Sequence, residues 1–256
     1  MDKKTKDIIT ELANRYETAD FLLSDPSRFM HEVQGDVNRE ATAFVASCLS
    51  YGSRKQFFPK IHFLLQQSHG LMHQWIAQRL YHDTIADTNE CYYRLNTCHD
   101  LRAMLDAYSH LMHDYGSLKA FVRHNSADAP EAIAAICRYF AGKDATSLVP
   151  RNTTSACKRV CMFLRWMVRD GSPVDLGLWA DIIDKRTLVM PLDTHVVQES
   201  MALGILHTRT ASMSAARKLT ETMLEIFPDD PLKGDFALFG LGTDTEAKSR
   251  ENAPQR

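Results

Sequence analysis

The chain has 256 residues, 45% hydrophobic and 24% charged, enough to bury a sizeable core in one large domain or two small lobes. A formal net charge of −2 excludes the strong basic excess of a protein that coats phosphate backbones, so any nucleic-acid surface must be local. No run of roughly 18 apolar residues occurs, and the N-terminus leads into an amphipathic pattern instead of a signal-peptide core, so a cytoplasmic protein without a membrane partner is expected.

Helical periodicity dominates, and nine prolines and eleven glycines interrupt it. Residues 3–16 form a first helix with Ile8, Ile9, Leu12 and Tyr16 on one side. Ser24-Asp25-Pro26 opens a short second one, since proline suits the first helical turn. Ala41, Phe44, Val45, Cys48 and Leu49 recur at helical spacing and mark a buried face. That helix ends at Tyr51-Gly52-Ser53, where Gly52 takes a left-handed cap. A helix over 55–68 carries Phe57, Ile61, Leu64 and Leu65. Between 70 and 96 the pattern is helical around Trp75, Leu80 and Tyr81 and loop-like from Asp83 to Asn89.

Helices follow over 99–114, 117–124 with Ser117 as N-cap, and 129–141. A polar loop over 150–155 feeds a helix over 156–169, and Ser172-Pro173 starts another that runs to about Ile183. A further helix runs from Asp193 to Gly204, and the last two span 212–226 and 231–239. Residues 243–256 are polar and expected to fray. The fold class is all-α with short connections.

Six cysteines stand at 48, 91, 98, 137, 157 and 161 with no CxxC pair. Reduced, buried thiols are expected, with no metal, no iron–sulfur cluster and no other cofactor.

Three places can carry chemistry. On the 156–169 helix, Lys158, Arg165 and Arg169 are seven and four residues apart. At about 100° per residue they fall within roughly 40° of one another, a basic stripe about 16 Å long. The stripe is either a solvated face or a phosphate-facing one. Lys158 stands in the first turn, against the usual preference for anions at a helix start. Asp193 follows an apolar run at the mouth of its helix. It is an N-cap, and near Lys158 it would also accept a proton or stabilise positive charge on a sugar ring. Asp235 and Phe239, at i and i+4, share one face of the last helix and pair a polar group for a base edge with a ring to stack on.

These stretches resemble a known family. Leu192-Asp193-Thr194-His195-Val196 is similar to the aspartate motif of the helix-hairpin-helix DNA glycosylases, the endonuclease III superfamily. The stretch from Glu40 to Ser50 resembles that family's early core helix, which ends in a Leu-Ser turn. Cys157-Lys158-Arg159-Val160-Cys161-Met162-Phe163 resembles the lysine helix of the archaeal 8-oxoguanine glycosylases, and Asp235 to Gly240 the stretch that reads the flipped base in that branch. Over about 1–243 the chain is similar to a bacterial group related to these enzymes.

The resemblance implies a two-lobed helical fold with a cleft between lobes, one from about 36–185 and the other from about 1–35 with 190–243, followed by a polar tail over 244–256. It implies a monomeric enzyme acting on damaged double-stranded DNA, with Lys158 as nucleophile, Asp193 as its activator, and Asp235 and Phe239 in the base pocket. DNA contacts are expected from Arg54, Lys55, Lys60, Ser155, Arg159, Arg165 and Arg169, with Tyr51 as the wedge. The alternative is a non-catalytic nucleic-acid-binding module on the same scaffold. The chain departs from the family pattern in four ways. The loop before the lysine, Val149 to Ala156, has no glycine; the lysine-to-aspartate spacing is longer than in endonuclease III; Gly52 stands beside Tyr51 where that enzyme has a gap-filling glutamine; and the C-terminal cysteine quartet is absent.

Overall fold

The computed structural model describes the backbone of residues 1–251 and side chains through 242. In chain order the elements are α1 (Lys3–Tyr16), a 3₁₀ helix (Ala19–Leu23), α2 (Arg28–His31), α3 (Asp36–Leu49), α4 (Arg54–Gln67), α5 (Met72–Ala77) and a second 3₁₀ helix (Leu80–Asp83). A hairpin of β1 (Cys91–Tyr93) and β2 (Asn96–Thr97) leads into α6 (Cys98–Tyr115), α7 (Leu118–Asn125), α8 (Ala129–Ala141) and α9 (Lys158–Val168). A 3₁₀ helix (Lys185–Thr187), α10 (Thr194–Ala202), α11 (Met213–Leu224) and α12 (Lys233–Glu251) complete the chain. The class is all-α, and among the described residues no helix is long and apolar enough to cross a membrane.

Local chemistry sets most helix starts. Ser117, Asp128, Asp193 and Ser212 each accept a backbone N–H from the first turn of the helix they precede. Thr97 and Asp100 close a reciprocal capping box on α6. Gly52 takes the left-handed conformation, φ +79°, just past the end of α3.

Three segments differ from the sequence expectation. Residues 91–97 form an antiparallel hairpin, with Cys91 opposite Thr97 and Tyr93 opposite Asn96. It is too short to show an alternating pattern, and buried Tyr92 and Tyr93 hold it against the body. The stretch 172–183 is not a helix but a series of turns. Its donors go to the end of α9: Leu176 N–H bonds the Trp166 carbonyl at 2.8 Å, and Trp179 N–H bonds that of Met167 at 2.7 Å. The segment thus satisfies carbonyls that α9 leaves open. Finally, α12 does not stop at 239 but runs to Glu251. Gly240 fits there because any Cβ would fall 2.2 Å from the Tyr16 ring, where α1 and α12 make their close approach. The expected fraying over 243–256 is replaced by helix as far as 251; residues 252–256 lie outside the described residues.

The core runs through α3 and α9, which pack on each other. Phe44 meets Tyr108, Phe140 and Phe163 with ring centroids 4.8, 5.2 and 5.4 Å away. At the other end of the fold, α12 packs between α1 and α10. Glu40, buried on α3, accepts the N–H groups of Leu118 and Lys119 and the Trp179 indole. It thereby ties the start of α7 and the 172–183 segment to the core.

Candidate active site

Three helix starts converge on one cavity of about 130 Å³. The start of α9 brings Lys158, that of α10 brings Asp193, and the first two turns of α12 bring Asp235 and Phe239. The volume is close to the roughly 150 Å³ of an apolar cavity that takes up benzene, so the space suits a planar ring.

Lys158 Nζ lies 3.2 Å from Asp193 Oδ2, with the lysine side chain 33% exposed and the carboxylate 14%. Asp193 Oδ1 accepts the Val196 N–H at 2.9 Å. The cap and the lysine contact therefore use different oxygens of one carboxylate: the helix end aims the group, and its free oxygen meets the amine. The residue before Lys158, Cys157, is left-handed at φ +47° and makes no side-chain cap to α9. The preceding loop is pinned by a bridge between Ser155 and Ser212.

Asp235 is buried and accepts a hydrogen bond from Arg165. Burial, with the charge of Asp193 adding to it, pushes its carboxyl up to about 6 against the opposing pull of Arg165 and Lys158. Phe239 lies half-buried opposite Phe21 and His195, with ring centroids 5.9 and 6.2 Å away. The Arg54 guanidinium sits 5.4 Å from the Phe239 ring centre and donates to Ser24 Oγ at 3.3 Å.

The phosphate-facing stripe is corrected. Only Lys158 of the three reaches solvent; Arg165 and Arg169 are 4% and 1% exposed. Helix α9 is buried on nearly every side, so its cations are met by carboxylates inside the protein. Arg165 pairs with Asp175 and Asp235; Arg169 pairs with Asp175 and Glu17 and grips Asp230 through two bonds of 2.9 and 2.7 Å. Neither arginine is available to DNA. Asp175 lies 10 and 6 residues along from them, but Asp235, Asp230 and Glu17 come from 61 to 152 residues away, and no local pattern announces those.

The remaining expected contacts divide. Lys55 and Ser155 are exposed, while Lys60 lies over the Tyr92 ring at 4.9 Å. Arg159 donates to the Cys48 carbonyl at 2.8 Å and covers the Tyr51 ring at 5.2 Å. Tyr51 lines the cavity, but its hydroxyl is bound to Asn96 and Tyr93, so it is a fixed wall and not a free wedge.

Phe21, Asp25 and Met162 also line the cavity and were not anticipated. Asp25 accepts both the N–H and the hydroxyl of Ser27, at 3.0 and 2.7 Å. Its sequence neighbourhood reads as an ordinary helix start, so only proximity in space marks it.

All six cysteines are free thiols, and Cys137 and Cys157 approach to 4.0 Å between sulfurs. Among the described residues, no three His, Cys, Asp or Glu side chains gather to hold a metal ion.

No curated protein and no solved structure matches the chain. A family model does match residues 25–244, a span that holds Lys158, Asp193, Asp235 and Phe239, and the chain belongs to that family, described as protein of unknown function DUF2400.

Proposed function

We propose that this protein is a DNA glycosylase with abasic-site lyase activity, removing an oxidised purine such as 8-oxoguanine from double-stranded DNA. The observation that carries the reading is the Lys158–Asp193 pair at 3.2 Å, on the wall of a ring-sized cavity that also holds Asp235 and Phe239. The packing of α1 and α10 on α12, apart from the α3–α9 core, supports two helical lobes of about 1–35 with 190–243 and about 36–185.

In this reading an extruded purine stacks on Phe239 in place of the Arg54 guanidinium and turns its edge to Asp235. Asp193 takes a proton from Lys158, and the free amine bonds to C1′ of the sugar. The C1′–N9 bond breaks, its electron pair leaves with the purine, and Asp193 returns the proton to that leaving group. Once it has given up that proton, the Asp193 carboxylate again carries a negative charge and offsets the positive charge of the ammonium now bonded to C1′. Asp193 then takes a proton from the new secondary ammonium and passes it to O4′ as the C1′–O4′ bond breaks, and the nitrogen lone pair forms the Schiff base from which strand cleavage proceeds.

The test is borohydride trapping on duplexes that contain 8-oxoguanine or an abasic site. The expected result is a covalent adduct that disappears in Lys158→Ala. Salt-sensitive DNA binding with neither trapping nor base release would make the protein a non-catalytic binding module. Absence of DNA binding would overturn both.

A further inference from the structure

Three of the six thiols gather behind Lys158. Cys137 on α8, Cys157 at the mouth of α9 and Cys161 one turn into it are all buried. The Cys137 and Cys157 sulfurs stand 4.0 Å apart, across 20 residues of chain. Cys161 turns its thiol to the Ala156 carbonyl at 3.4 Å instead. The proposed reaction uses none of the three. A buried thiol is commonly a small apolar filler; the setting of Cys157 is different.

Cys157 is placed to ionise and to move. The Cys137 thiol donates to its sulfur, and Ser155 Oγ lies 3.7 Å away as a second donor. The Cys137 bond first, then Ser155 and Arg159, hold the Cys157 thiol down to about 7 against burial, while the same bond and burial push that of Cys137 up. Cys137 belongs to a regular turn of α8, whereas Cys157 is left-handed at φ +47° between a loop and a helix. Arg151, Asn152, Thr154 and Ser155 of that loop are exposed, and the Cys157 sulfur touches both Asn152 and Ser155. The cover over Cys157 on this side is therefore one exposed loop. An ionisable thiol beside a resolving thiol is the arrangement that senses oxidants.

We infer that Cys137 and Cys157 form a reversible disulfide under peroxide, and that this bond draws Lys158 away from Asp193. The Cys157 thiolate attacks one oxygen of hydrogen peroxide, the O–O bond breaks, and hydroxide leaves to take up the proton that Cys157 had lost, giving a sulfenic acid and water. The Cys137 sulfur then attacks the Cys157 sulfur as its S–O bond breaks, and the Cys137 proton joins the leaving hydroxide as a second water. Two thiols are oxidised to one disulfide, and one peroxide is reduced to two waters. The sulfurs close from 4.0 Å to about 2 Å. Helix α8 holds Cys137 in its regular turns, so Cys157 yields, and Lys158 is the next residue. The Lys158–Asp193 contact spans 3.2 Å, so a shift of about 1 Å carries it beyond ion-pair reach. Loss of lysine chemistry rests on the glycosylase reading; the disulfide and the parted ion pair do not.

The test treats wild type, Cys137→Ala, Cys157→Ala and the control Cys161→Ala with hydrogen peroxide, and a portion of each afterwards with dithiothreitol. Three readouts are used: disulfide-linked peptides by mass spectrometry, acylation of Lys158 by an amine-reactive ester, and borohydride trapping on an abasic duplex. Oxidised wild type should yield a Cys137–Cys157 linked peptide, with Lys158 acylation raised about two- to fivefold, the factor carried by a part-exposed ion pair. Trapping should fall about 100-fold, as a misplacement of roughly 1 Å at a reacting group brings. Dithiothreitol should reverse all three changes, and Cys161→Ala should behave as wild type. Cys137→Ala and Cys157→Ala should trap as reduced wild type does and keep trapping in peroxide; either removes the bond, so failure of one to fold leaves the other.

Oxidised wild type without a Cys137–Cys157 peptide would overturn the bond, and that peptide with unchanged Lys158 acylation would overturn its effect on the site; both leave the glycosylase reading standing. A loss of trapping in peroxide shared by Cys137→Ala and Cys157→Ala would overturn the switch, since the loss then arises elsewhere. The linked peptide with raised acylation, but no adduct from reduced wild type, would support the switch and overturn catalysis.

Discussion

Replacing Asp235 with asparagine should stabilise this protein at neutral pH while removing the carboxyl group proposed to meet a base edge. The buried cluster around it sets two guanidinium groups, Arg165 and Arg169, against four carboxylates, Glu17, Asp175, Asp230 and Asp235. Negative charge is in excess, and burial pushes the Asp235 carboxyl from 3.8 up to about 6 even with Arg165 opposing. The folded state therefore binds this proton more tightly than the unfolded chain does. Stability from this group is fully present below about pH 4 and is lost as pH rises to about 6, a loss of roughly 3 kcal/mol. Asparagine does not titrate and still accepts from Arg165. The difference between Asp235→Asn and wild type should then be near zero at about pH 4 and grow to as much as roughly 3 kcal/mol in favour of the variant at about pH 8. Arg165→Met is the opposite perturbation: it leaves Asp175 and Asp235 without this partner and should cost about 3–5 kcal/mol. Urea unfolding of the three proteins across that pH range measures both effects. An Asp235→Asn variant less stable than wild type at about pH 8, or a difference that does not change with pH, would refute the charge-excess argument.

Three further outcomes follow from particular contacts. Asp193→Ala removes the acceptor for the Val196 N–H and should cost about 1 kcal/mol in thermal or urea unfolding, whereas Asp193→Asn keeps the cap. Both should lower the trapping rate by about 100-fold or more, so a fall only in the alanine variant would reduce Asp193 to a cap. Glu40→Ala strips three donors, Leu118 N–H, Lys119 N–H and the Trp179 indole, and should lower unfolding stability by roughly 3–5 kcal/mol. Gly240→Ala drives a methyl group to 2.2 Å from the Tyr16 ring and should cost about 1–3 kcal/mol, with a lower midpoint in thermal melts.

Much of the helical order of this chain is determined by interactions that span three or four residues. Asp193 caps because its carboxylate reaches a backbone donor three residues on; Ser117 and Asp128 do the same, and such pairs are legible in order along the chain. The same locality made Lys158, Asp193, Asp235 and Phe239 stand out, and the fold brings all four to one cavity. Tertiary structure alone decided what surrounds them. A basic stripe of given spacing is compatible with water, with phosphate or with buried carboxylates. Glu17 and Asp230, 152 and 61 residues from Arg169, turned this one inward. The 172–183 segment kept a helix-like start but spent its backbone donors on the end of α9. The 91–97 hairpin owes its place to tyrosine hydroxyl bonds reaching 42 residues along the chain. Periodicity records which side of an element is apolar; it does not record which charge from elsewhere will arrive to face its polar side.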